Sequence, residues 1–106
     1  MAQGFINASF SSAAGGDVAA IAGVTGVNIK IWRVNLTNGV ATAQALIFKD
    51  GATALTGAMA LTTAVGGAIN LGDGINPIWI LGSGNAFNVN ESAATSVTGF
   101  IQYTLG

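Results

Sequence analysis

The chain has no cysteine and no histidine, a single proline, and only three basic and four acidic residues in 106. Each shortage removes a class of function. Without cysteine there are no disulfides and no thiolate metal sites, and the redox compartment leaves no mark on the sequence. Without histidine there is no imidazole base, no Ser–His nucleophile pair and no histidine-ligated metal. Lys30, Arg33 and Lys49 are too few to displace the counterions of a nucleic acid, so no nucleic-acid partner is expected. The carboxylates Asp17, Asp50, Asp73 and Glu91 are widely spaced, and nothing forces two of them to converge as acid–base or glycosidase chemistry requires. The expectation is a non-enzyme without cofactor or metal.

What is present is apolar but small. Hydrophobic residues make up 51% of the chain, with alanine the commonest and few bulky anchors, whereas charged residues make up 7% against roughly a quarter in an ordinary soluble domain. At 10.5 kDa there is room for one modest core. The larger anchors are Phe5, Phe10, Trp32, Phe48, Trp79, Phe87, Phe100 and Tyr103, with the Ile, Leu and Val residues. A chain so poor in charge leaves apolar surface that association would cover, so an oligomer is expected. The N-terminal MAQGFINASFSSAAGG has no basic segment ahead of its apolar residues and predicts no secretory signal. Gly51–Gly72 is uncharged and long enough to cross a bilayer, but it carries four threonines and five glycines and lacks flanking aromatic or basic anchors. A membrane-embedded protein is therefore the weaker alternative, and no membrane partner is expected.

Bulky residues recur with period two, and turn dipeptides separate the runs. The spacing predicts strands over Gly4–Phe10, Val18–Ala22, Val27–Thr37, Val40–Lys49, Ala58–Leu61, Ala68–Leu71, Ile78–Leu81, Ala86–Asn90 and Ser96–Leu105. Asn38-Gly39 predicts a tight hairpin between two of these, and Asp50-Gly51 a second turn. The whole predicts an all-β, single-domain β-sandwich of jelly-roll type over 16–106, with 1–15 as an N-terminal arm or edge strand. One strand breaks the alternation: Val27, Ile29 and Ile31 share one phase, and Trp32, Val34 and Leu36 the other. Either a bulge switches the phase near Ile31–Trp32, or both faces are covered. Phe100 stands out of phase with Val97, Ile101, Tyr103 and Leu105 in the same way. On the two-sided reading, Trp32, Val34, Leu36, Phe100 and Tyr103 form interfaces between subunits, and Phe5 and Phe10 anchor the arm on a neighbour. Lys30 and Arg33, lying within the Trp32 strand, are the charges placed to set register or partner choice there.

The remaining motifs are weak. Gly72-Asp73-Gly74 with Asn76 supplies one acidic oxygen donor toward calcium and reads better as a turn. Gly82-Ser83-Gly84 lacks the lysine and helix of a phosphate loop. Trp79 with Asn76 and Asn85 forms the alternative site, a sugar-stacking ring with amide groups for a glycan, although tryptophan in a small domain is more often core or interface.

The order of segments carries a resemblance. A Gly16-Asp17-Val18-Ala19-Ala20-Ile21 strand precedes Lys30-Ile31-Trp32-Arg33-Val34-Asn35-Leu36, followed by DGATALTGAM at Asp50–Met59. The chain closes with GNAFNVN at Gly84–Asn90 and SAATSVTGFIQY at Ser92–Tyr103. This succession, over about Gly16 to Tyr103, resembles small structural proteins of tailed-bacteriophage virions, of the capsid decoration (cement) or short fibre type. The resemblance implies a jelly-roll β-sandwich, often a homotrimer, on the capsid exterior, with the major capsid protein as partner. It transfers no catalytic or ligand residue. A fibre or receptor-binding module that recognises host glycans is the alternative.

Overall fold

The computed structural model describes residues 5–40, 42–61, 67–73 and 75–105. Residues 1–4 of the expected N-terminal arm, and Gly74 of the Gly72–Gly74 loop, lie outside these. Among the described residues there is no helix. In chain order the strands are β1 (Ile6–Ser12), β2 (Gly16–Ile21), β3 (Ile29–Asn38), β4 (Gln44–Asp50) and β5 (Thr53–Ala54). They continue as β6 (Met59–Leu61), β7 (Ala68–Leu71), β8 (Trp79–Ile80), β9 (Phe87–Glu91) and β10 (Val97–Leu105).

Two antiparallel sheets pack face to face. Sheet A runs β1-β10-β3-β7, with β8 also on β3; sheet B runs β2-β9-β4-β5, with β6 also on β4. Successive long strands change sheets, and each sheet interleaves strands from the two halves of the chain. With β7/β8 and β5/β6 each counted as one interrupted edge, four positions face four in the order of a jelly roll. The uncharged Gly51–Gly72 stretch is divided between the sheets, with β5 and β6 in sheet B and β7 in sheet A. No helix among the described residues is long and apolar enough to cross a membrane.

The switch of phase in β3 is a bulge. Gln102 pairs with Arg33 but Tyr103 pairs with Ile31, so Trp32 is the extra residue. Ile29 and Ile31 before it, and Val34 and Leu36 after it, all point into the core and are at most 1% exposed. An extra residue shifts the alternation by one, which returns the second half of the strand to the same face. Against these four pack Leu46 and Phe48 of β4, Phe87 and Val89 of β9, and Val97 and Ile101 of β10, all buried. The accessible surface is 5182 Å², close to the ~5,400 Å² expected for a compact monomer of this mass.

Asn38-Gly39 does not make a hairpin. β3 ends there in sheet A, and the chain crosses to β4 in sheet B. Asn38 is buried and holds the crossing: its amide donates to the Thr42 carbonyl (2.9 Å), and its oxygen accepts from the Val40 amide (3.4 Å). The Gly39 N–H donates to the Ser96 carbonyl at 2.9 Å. Asp50-Gly51 does turn the chain back, pairing Asp50 with Thr53.

Candidate functional site

Pairing places the outward residues of sheet A. Lys30 lies opposite Thr104 on β10 and Ile80 on β8, and Asn35 lies opposite Phe100 and Asn70. Ser9 of β1 flanks Phe100 from the other side. Phe5 stands edge-on to Trp32, with ring centroids 5.1 Å apart at 80°. The Trp32 indole N–H donates to Thr104 Oγ1 at 2.9 Å, so the bulged residue is fixed on this face rather than loose. Phe5 (47% exposed), Phe100 (38%) and Ile80 (59%) therefore stand on or beside one polar, mostly uncharged sheet face.

The five strands of sheet A contain no Asp or Glu; their only charges are Lys30 and Arg33. Arg33 reaches the Asp73 carbonyl at 2.9 Å, closing the adjacent loop over the sheet edge. The Asp73 carboxylate caps that loop by accepting from the Ile75 and Asn76 amides at 2.8 and 3.2 Å, which hold its pKa below the ordinary value of 3.8. Ile75, two residues on, is the most exposed large apolar residue described, at 76%.

The acids of the strands all belong to sheet B. Asp17 accepts from the Asn90 amide at 2.7 Å and pairs with Lys49 at 3.0 Å, and both interactions lower its pKa. Asp50 ties the β8–β9 loop by accepting from the Gly82 N–H (3.0 Å) and the Asn85 amide (2.9 Å).

The residues expected at an interface divide between surface and core. Phe5, Trp32 and Phe100 lie on the outer face of sheet A. Tyr103 is half-buried and packs against the core. Val34 and Leu36 are consumed by the chain's own core because the bulge turns them inward, and Phe10 is buried there as well. The two-sided reading of β3 thus gives way to the bulge.

The glycan trio is not assembled as a binding platform. Trp79 packs beside Phe48 and Phe87, with centroids at 5.6 and 5.9 Å, while Phe48 and Phe87 stack within 2° of parallel. The Asn85 side chain is engaged by Asp50, and the Asn76 backbone by Asp73. Sequence reasoning missed Ile80. Its signal was the alternation Ile78-Trp79-Ile80, which sends Trp79 inward opposite Ile31 and Ile80 outward opposite Lys30.

Comparison with protein-family models, with curated proteins and with solved structures finds no match.

Proposed function

We propose that this chain is a non-enzymatic structural protein of a tailed-bacteriophage virion, a capsid decoration (cement) protein that assembles as a homotrimer and docks on the major capsid protein. The observation that carries this reading is the outer face of sheet A. It combines exposed Phe5, Phe100 and Ile80 with the fixed Trp32 ring, bears two cations and has no carboxylate in its strands. Such a face gains by being covered, since exposed aromatics flanked by polar rows mark association surfaces in small soluble domains. The lack of strand carboxylates bears on what covers it. Stacking this face on its own copy would oppose Lys30 and Arg33 with Lys30 and Arg33, and like charges across an interface are unfavourable. A carboxylate-bearing surface, on another part of a neighbouring copy or on a shell, complements it. The jelly roll is compatible with this role, as the fold recurs in viral capsid and lectin domains, but it hosts many functions and carries no weight alone.

The test is co-sedimentation with undecorated capsids, alongside a glycan array. Saturable binding to capsids that Phe100→Asp and Ile80→Asp abolish, with no glycan signal, supports the reading. Glycan binding without capsid binding, abolished in a Trp79→Ala protein that circular dichroism shows to be folded, replaces it with the receptor module.

A further inference from the structure

Glu91 is the only carboxylate among the described residues that is buried, at 2% exposure. It ends β9 in the inward phase of Phe87 and Val89, on the row Gly16–Glu91–Leu46–Met59 of sheet B. The corresponding row of sheet A at that end of the sandwich is Ser12–Val97–Asn38. No other titratable side chain stands on either row, nor on the adjoining Gln44–Leu61 pair. Asp17, one residue along β2, points to the outer face and is paired there with Lys49. Gln44, the polar side chain buried in the neighbouring β4, is fully engaged with Ser92, Ala93 and Thr95.

Neither Glu91 oxygen has a hydrogen-bond partner. Burial pushes the carboxyl above its ordinary 4.5, and the Ser12 hydroxyl and Gly15 amide, near it but outside hydrogen-bonding geometry, ease its charge only in part. Those two groups belong to the corner joining β1 to β2. The corner is built on successive left-handed glycines, Gly15 (φ 73°) and Gly16 (φ 68°). It is also the junction of two edge strands, since among the described residues β1 pairs only with β10 and β2 only with β9.

We propose that the β1–β2 corner is a latch, closed over neutral Glu91 and released when Glu91 ionises, which frees the N-terminal edge strand from the sandwich. The proton passes to solvent, leaving a buried carboxylate with no counter-charge on its row and only the Ser12 hydroxyl and Gly15 amide near it, neither in hydrogen-bonding geometry. The least costly relief is to lift the corner and admit water, because each strand it joins is hydrogen-bonded to a single neighbouring strand among the described residues, although Phe10 anchors β1 in the core further along. This inference stands independently of the function proposed above.

Hydrogen exchange of the β1 amides, corrected for intrinsic rates and followed from about pH 4.5 to pH 8, tests it. One proton separates the closed and open forms while the open carboxyl is ionised and the closed one neutral, so β1 protection is expected to fall tenfold per pH unit from about pH 4.5 up to the raised closed-state value and to level off above it. Amides of the central β4–β9 ladder, which exchange only through global unfolding, are expected to stay more protected than β1 at every pH and to depend on added denaturant where β1 does not, and Glu91→Gln is expected to abolish the slope in β1. A flat β1 profile, β1 amides with the same protection and denaturant dependence as the β4–β9 ladder, or an unchanged slope in Glu91→Gln overturns the latch. Should Glu91→Gln fail to fold, carboxyl carbon NMR of the wild-type protein decides: a Glu91 titration midpoint at or below 4.5 overturns the proposal, and one above it supports it.

Discussion

Gly39 and Ser96 approach so closely that a Cβ on Gly39 would lie 2.8 Å from the Ser96 hydroxyl and 3.1 Å from its Cβ. Glycine is needed there for space, since Gly39 is not among the glycines with positive φ. Gly39→Ala is expected to destabilise by roughly 1–3 kcal/mol, as overpacking does. Adding Ser96→Ala should recover part of this, and urea unfolding of the double-mutant cycle checks it. Phe48 is fully buried between Phe87 and Trp79, and Phe48→Ala is expected to cost roughly 3–5 kcal/mol in the same assay. The carboxylates act in opposite senses. Asp17 and Asp73 have pKa values lowered from 3.8, so what they contribute is present above 3.8 and is lost as pH falls through their folded values. Glu91 has a raised pKa, so its contribution is present below 4.5 and is lost as pH rises through its folded value. Thermal melts should therefore show greatest stability in weak acid, falling toward neutral pH in the wild type but not in Glu91→Gln. A wild-type maximum at or above neutrality would contradict this.

β3 shows both what alternation can reveal and where it stops. The change of phase between Ile31 and Trp32 is visible in the sequence, but a bulge and a two-sided strand produce the same pattern. Only the pairing with β10 separates them, and pairing is non-local. The consequence is testable: Leu36→Asp should prevent folding, whereas Phe100→Asp should leave a folded chain whose circular dichroism is close to wild type. Two residues from opposite phases, both legible as apolar, thus have different fates. Asn38-Gly39 was misread for a related reason. The dipeptide signals a sharp change of direction, and nothing local says whether the next strand pairs with the last or crosses to the other sheet. Glu91 was missed because the strand was expected to end at Asn90; one residue more puts the carboxylate in phase with Phe87 and Val89. The aromatic core and the strand positions were legible because bulky side chains and turn residues are local signals. The outer face of sheet A was not, because it is assembled from β1, β10, β3 and β8, which lie far apart in the chain.

Over the whole molecule the few charges are segregated. Sheet A carries only Lys30 and Arg33 in its strands, while Asp17, Lys49, Asp50 and Glu91 all belong to sheet B. With Asp17 paired to Lys49 and Glu91 enclosed, the strands of sheet A present two cations and aromatic rings, partly offset by the Asp73 carboxylate beside Arg33, while sheet B presents Asp50 beside a neutral pair. The two faces suit directional contacts rather than a symmetric stack of sheet A on sheet A, and directional contacts are the kind that close into rings. Multi-angle light scattering on the purified protein tests this most directly. The account predicts a discrete species of three times 10.5 kDa that Phe100→Asp and Ile80→Asp convert to folded monomer. A wild-type protein that stays monomeric at high concentration, or a trimer indifferent to both substitutions, would contradict it.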